Sequence, residues 1–158
     1  MEDVQLVVID AGSAPARAAM AAYFAELAER FPGGFDPGDA LDDAATSFNP
    51  PRGVFVVALA DGQPVGCGAT ELLDDQTAEI KRMWVSASHR GHGLGGRLLA
   101  RLEAEARDAG RTGILLDTNG SLTEAISMYR SRGYTPIERY NDNPYAQHWF
   151  AKTLTDLA

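Results

Sequence analysis

Apolar residues along this chain fall into two rhythms, alternation every second residue and recurrence every three to four. Val4 to Ile9 alternates loosely enough for a first strand, whereas Met20, Phe24, Leu27 and Phe31 have the spacing of one helical face. Ser13 supplies an N-cap and Pro15 an early helical proline, so the pattern predicts a helix from there to about Arg30. The stretch Phe31 to Gly38, rich in Pro and Gly, breaks it, and Asp39 caps a short second helix through Ala45. Asn49-Pro50-Pro51 ends that segment before Val54 to Ala60, an apolar, β-branched run of the kind that forms buried strands.

Asp61-Gly62 reads as a hairpin turn. Strands over Gln63 to about Leu73 and Thr77 to Val85 then complete a three-stranded antiparallel meander. From Gly93, Leu94, Leu98, Leu99 and Leu102 keep helical spacing until Ala109-Gly110, a C-cap glycine. Thr112 to Leu116 is a buried strand. Ser121-x-x-Glu124 reads as a capping box opening a helix through Tyr129, which Gly133 ends, and Tyr134 to Arg139 and Tyr145 to Leu154 give two last strands. Period-two alternation along Thr77 to Val85 puts Glu79, Lys81, Met83 and Val85 on one face and Arg82 on the other. With no repeat or linker in view, the order describes one domain over 1–158, an α/β chain with a mixed sheet.

Composition narrows the functions. The chain has 158 residues, 45% hydrophobic and 23% charged, enough for one sizeable core. A net charge of −8 argues against nonspecific nucleic-acid or anionic-membrane binding. The start, Met1-Glu2-Asp3-Val4-Gln5, lacks a basic leader region and no apolar run is long enough to span a bilayer, which predicts a cytoplasmic protein. The single cysteine, Cys67, can form neither an internal disulfide nor a zinc site. With no histidine near it, it reads as a buried filler. Nothing in the chain indicates a metal.

Against that acidic background, the run His89-Arg90-Gly91-His92-Gly93-Leu94-Gly95-Gly96-Arg97 stands out. Glycines let a backbone approach an anion closely, and the helix that follows offers unpaired N–H groups at the positive end of its dipole. Arg90 and Arg97 add counter-charge. The expected ligand is one discrete phosphate-bearing molecule; the bland counterpart is a solvated basic turn.

Strand, Arg90-x-x-Gly93-x-Gly95, then a Leu-rich helix resembles the acetyl-coenzyme A site of the GNAT superfamily of N-acetyltransferases. Ala125-Ile126-x-x-Tyr129-x-x-x-Gly133-Tyr134 is similar to a second motif of that family. The resemblance implies a central, mostly antiparallel sheet flanked by about four helices. It implies that N–H groups of His92 to Gly96, together with Arg90 and Gly91, hold the pyrophosphate of acetyl-CoA, and that the backbone of Met83, Trp84 and Val85 meets the pantetheine arm. Tyr129 would protonate the departing thiolate, or simply pack in the core. Glu79 occupies the position of a general base in several members, although a salt bridge with Lys81 or Arg82 explains it equally well. Many members carry an asparagine seven residues before the tyrosine to bind the cofactor; here that position is Leu122, and Asn119, one turn earlier, or Thr118 would bind the cofactor in its place.

The resemblance further implies direct, ternary-complex transfer to a primary amine, on a small molecule or a protein, by a chain that can form a homodimer. Tyr23, Phe24, Phe31 and Phe35, with the segment from Tyr140 to Phe150, would line the acceptor side, or pack into the core. Two other functions compete. A non-catalytic acyl-CoA sensor would keep the loop without needing Glu79 or Tyr129. A dinucleotide oxidoreductase would use Gly91-x-Gly93-x-x-Gly96, with Asp117 on the ribose.

Overall fold

A computed structural model describes residues 3–154. Met1 and Glu2, read above as part of a leaderless start, lie outside the described residues. The chain runs β1 (Val4–Ile9), α1 (Ala14–Arg30), α2 (Ala40–Ser47), β2 (Gly53–Ala60), β3 (Gln63–Leu72), β4 (Thr77–Val85), α3 (Leu94–Asp108), β5 (Gly113–Thr118), α4 (Thr123–Ser131), β6 (Thr135–Ile137) and β7 (His148–Thr153). A single 3-10 turn, Ala87–His89, joins β4 to the glycine loop.

The strands form one sheet of order β1-β2-β3-β4-β5-β7-β6. All neighbours are antiparallel except β4 and β5, which pair in parallel only from Thr77↔Gly113 to Glu79↔Leu115 before they separate. Alternation divides the core between the faces. Val56, Leu98, Leu102, Ile114 and Phe150 pack on the α3 and α4 side; Phe24, Leu27, Phe55, Val57 and Cys67 pack on the α1 and α2 side. Where α3 crosses the sheet, a Cβ on Gly68 would stand 2.5 Å from Leu102 Cδ1, so this contact requires glycine.

The expected alternation of β4 fails at Arg82. Cys67 pairs with Trp84 and Ala69 with Lys81, so Arg82 and Met83 together oppose the single Gly68. This is a β-bulge, and Arg82 holds φ at +60°, a left-handed conformation that costs a non-glycine residue about 1–3 kcal/mol. The extra residue shifts the phase. Trp84 joins Glu79 and Lys81 on the α1 side, while Val85 packs with the α3 side.

Local caps also differ from expectation. The Ser13 hydroxyl turns back to the Asp10 carbonyl (2.6 Å), and neither Ser13 nor Asp39 caps its helix through a side chain. The capping box at Ser121 does not form either. Leu122 is the N-cap of α4, the Ser121 N–H donates to Asn119 Oδ1 (2.8 Å), and Glu124 turns to Arg30 of α1. The last two strands are shorter than the pattern suggests, because side-chain turns at Asn141 and Asn143 occupy the backbone up to Tyr145.

Candidate active site

Separation of β4 from β5 beyond Glu79 opens a cleft through the sheet. A cavity of about 440 Å³ lies between the end of β4, the glycine loop, the start of α3 and α4. A second, of about 260 Å³, lies between α1, β4, β5 and the segment before β7. Tyr23, Met83, Leu122, Ala125 and Tyr129 line both, which makes them the throat between the two.

Met83, Trp84, Val85, Arg90, Gly91, Gly93, Leu94, Gly95 and Gly96 all line the larger cavity. Gly91 and Gly93 both hold φ at +81°, which turns the loop into α3 with Gly93 as its N-cap. The first backbone bond of α3 runs from Arg97 N–H to the Gly93 carbonyl (3.1 Å). The N–H groups of Leu94, Gly95 and Gly96 therefore precede the ladder and are open to an anion. Past Glu79, the edge of β4 that faces β5 carries no ladder bonds, so an extended ligand arm can lie along it.

Arg90 is anchored, its Nε donating to the Val85 carbonyl (3.1 Å) and Nη2 to both Glu26 carboxylate oxygens (2.5 Å each). Arg30 reaches Glu26 (3.3 Å) and Glu124 Oε2 (2.9 Å), which ties α1 to α4 across the same mouth. The Arg30 guanidinium in turn holds the Glu124 carboxyl below the usual carboxylate range. Arg97 corrects the expectation of a second counter-charge: its Nη2 donates to the Val4 carbonyl (3.0 Å), on the β1 side of α3. Arg132 takes that place, its guanidinium lying over Gly96 at 2.0 Å from where a Cβ would be. The signal for it was present in the sequence, because a residue three past Tyr129 shares its helical face. His92 is exposed and lines neither cavity.

Tyr129 is buried, with its ring against Tyr134 (5.8 Å) and Phe150 (6.3 Å). Its hydroxyl makes no hydrogen bond among the described residues and belongs to the throat. Burial pushes its pKa well above the ordinary phenol value, and Tyr23 and Asp117 reinforce the shift, so the proton stays on through the alkaline range. Glu79 is buried but lines neither cavity. It accepts from the Tyr140 hydroxyl (2.5 Å) and pairs with Lys81 Nζ (3.4 Å), the salt bridge that the sequence allowed.

The smaller cavity gathers residues that are distant in sequence. Tyr23, Leu27, Phe31 and Tyr145 form its apolar wall, while Phe24 and Phe35 stack behind them. Asn119 lines it, but its Nδ2 donates to the Tyr145 carbonyl (2.7 Å), so its amide holds the wall in place. Asp117 lines it as well, accepting from Asn141 Nδ2 (2.6 Å) and Asn143 Nδ2 (3.1 Å). Trp149 donates to Asn141 Oδ1 (3.0 Å), and Phe150 is core. Cys67 is fully buried, which raises its thiol pKa and leaves it a filler.

A glycine loop after a bulged antiparallel strand, a helix N-terminus and a split sheet define an acyl-CoA transferase fold rather than a doubly wound dinucleotide fold. The comparisons agree. Residues 20–134 match the Acetyltransferase (GNAT) family model, and the chain belongs to that family. It is 39% identical over 94 residues to an IAA acetyltransferase of Azospirillum brasilense, across 57% of this chain and 61% of that protein. It is 31% identical over 108 residues to an N-acetyltransferase of Schizosaccharomyces pombe, across 67% of this chain and 66% of that protein. The matched part thus spans about three-fifths to two-thirds of these curated relatives. A GNAT acetyltransferase from Staphylococcus aureus superposes with a TM-score of 0.85 at 16% identity, covering 97% of this chain and all of that one. A GNAT acetyltransferase of Elizabethkingia anophelis with acetyl-CoA bound gives 0.68 at 19% identity, covering 98% of this chain and 100% of that one. At those identities the likeness is one of fold.

Proposed function

We propose that this protein transfers an acetyl group from acetyl-CoA to a primary amine within a ternary complex. The observation that carries the reading is the throat, where an unengaged Tyr129 hydroxyl stands between a glycine loop suited to phosphate and a second, smaller cavity. Acetyl-CoA supplies an activated thioester. Gly93 to Gly96, with the loop backbone at Gly91, suit its pyrophosphate, and Arg132 joins Arg90 beside them. Met83, Trp84 and Val85 offer the unpaired β4 edge to its arm, and in this scheme one of their N–H groups polarises the thioester carbonyl.

The ammonium of the acceptor must first lose a proton to a carboxylate or to water. The free amine then bonds to the acetyl carbon and the carbon–sulfur bond breaks. Tyr129 gives its proton to sulfur and regains one from the nitrogen, so the products are the amide and free CoA. No side chain at the throat has the features of an activated nucleophile, which favours direct attack over an acetyl-enzyme. Glu79 lines neither cavity, so in this scheme it takes the ammonium proton only through water. The small volume of the second cavity favours a small amine over a protein terminus.

Titrating acetyl-CoA, CoA and NADH in parallel and following the melting temperature tests the cradle. Stabilisation by both CoA forms and not by NADH supports the reading, and thiol release with an amine panel then separates an enzyme from a sensor.

A further inference from the structure

Two opposite charges stand unpaired beside the same small cavity. Asp117 has amide donors on both oxygens but no cation at ion-pair distance among the described residues. Arg82 lines the cavity too, and no carboxylate pairs with it; its guanidinium stacks on Phe24 (5.6 Å) and Phe48 (5.4 Å) instead. Its Nε is shut off from solvent without a partner, and it is the only such side-chain atom among the described residues. The other cation on this wall, Lys81, is already held by Glu71 (3.6 Å) and Glu79 (3.4 Å).

Leaving these charges apart costs stability, because a partly buried ion without an opposite charge loses hydration that ring stacking and amide hydrogen bonds repay only in part. The bulge adds to that cost, since Arg82 reaches this position only from a left-handed backbone. Both charges act at the throat. Burial pushes the Tyr23 hydroxyl to about 12, with Arg82 opposing the shift and Asp117 adding to it.

We infer that the acceptor is itself a zwitterion, an α-amino acid with an apolar or aromatic side chain, whose ammonium meets Asp117 and whose carboxylate meets Arg82. Such a ligand supplies each charge with its missing partner, and Tyr23, Phe31 and Tyr145 receive its side chain. Asp117 then takes the ammonium proton and passes it to solvent, and the nitrogen is free to attack. This inference rests on the transferase reading and narrows its substrate.

The test is kcat/KM by thiol release, at saturating acetyl-CoA, for L-amino acids and their decarboxylated counterparts: phenylalanine with phenethylamine, tyrosine with tyramine, tryptophan with tryptamine, and leucine with isoamylamine. The wild type should favour at least one amino acid over its amine by roughly 100-fold, the scale of a charged hydrogen-bonded pair. Arg82→Gln should lower the amino-acid rate about 100-fold and the amine rate far less, so that the preference is lost, Arg82→Lys should restore part of it, and Asp117→Asn should lower both rates. Preference of the wild type for every amine, acetylation of none of the amino acids, or an equal loss for both members of a pair in Arg82→Gln would overturn the inference. The acetyl-CoA thermal shift, measured on every variant, keeps the two readings distinct. If it persists while the amino acids fail, only the zwitterion is lost; if acetyl-CoA neither binds nor reacts with any amine, the transferase reading falls too.

Discussion

At the scale of single residues, chemistry follows from which side chains remain unengaged. Tyr129 is similar to the family tyrosine by motif, and the fold leaves its hydroxyl unbonded in the throat. Tyr129→Phe should therefore lower kcat by about 100-fold, the lower range for a general acid, while the acetyl-CoA Kd changes less than threefold. Equal effects on both would mean a packing role. Glu79 presents the opposite case. The strand position suggested a base, but Tyr140 and Lys81 already occupy its oxygens and neither cavity reaches it. No sequence pattern announces that Asp117, forty positions from the motif strand's start, lines the second cavity; only the divergence of β4 from β5 brings it there.

At the scale of elements, the loop and α3 act together, and Gly93 is the joint. A left-handed φ of +81° strains any side chain there, so Gly93→Ala should lower stability by about 1 kcal/mol and weaken acetyl-CoA binding by tilting the first helical turn. Calorimetry of the free and acetyl-CoA-bound variant checks both. Farther along α3, buried Glu103 accepts from the Tyr134 hydroxyl (2.7 Å) and pairs with Lys152 of β7 (3.1 Å), which fastens the helix to the far half of the sheet. Lys152→Met leaves that carboxylate without its cation and should cost about 3 kcal/mol in a denaturant titration. The link between α1 and α4 depends on pH. Arg30 lowers the Glu124 pKa in the folded chain, so the pair stabilises at pH above the ordinary glutamate value of about 4.3 and its contribution fades as pH falls through the lowered value. Glu124→Gln should flatten that acid limb of stability against pH.

Across the whole molecule, four tyrosines set the alkaline limit. Burial raises the pKa of Tyr23, Tyr129, Tyr134 and Tyr140, with Glu103 reinforcing it at Tyr134 and Glu79 at Tyr140. Their folded pKa values exceed the unfolded value of about 10, so their protonated forms support the fold below it, and stability should fall steadily as pH rises beyond it. Thermal unfolding followed from neutral to strongly alkaline pH reads this directly, and a flat curve would count against it. The order of elements, the meander, the glycine cradle and the Tyr129 helix were all legible in the chain, because periodicity and turn chemistry are local and the cradle is nearly contiguous. The helix caps, the phase of β4 and the wall of the second cavity were not. Asn119 and Glu124 chose partners outside their own turn, a bulge inserted one residue into an otherwise regular alternation, and the second cavity draws on α1, β4, β5 and the segment before β7. The sequence by itself thus determined the elements and the glycine loop, which depend on neighbours within a few residues. Tertiary structure alone decided which charges were left unpaired and where they met, because that depends on distances between segments that local pattern does not encode.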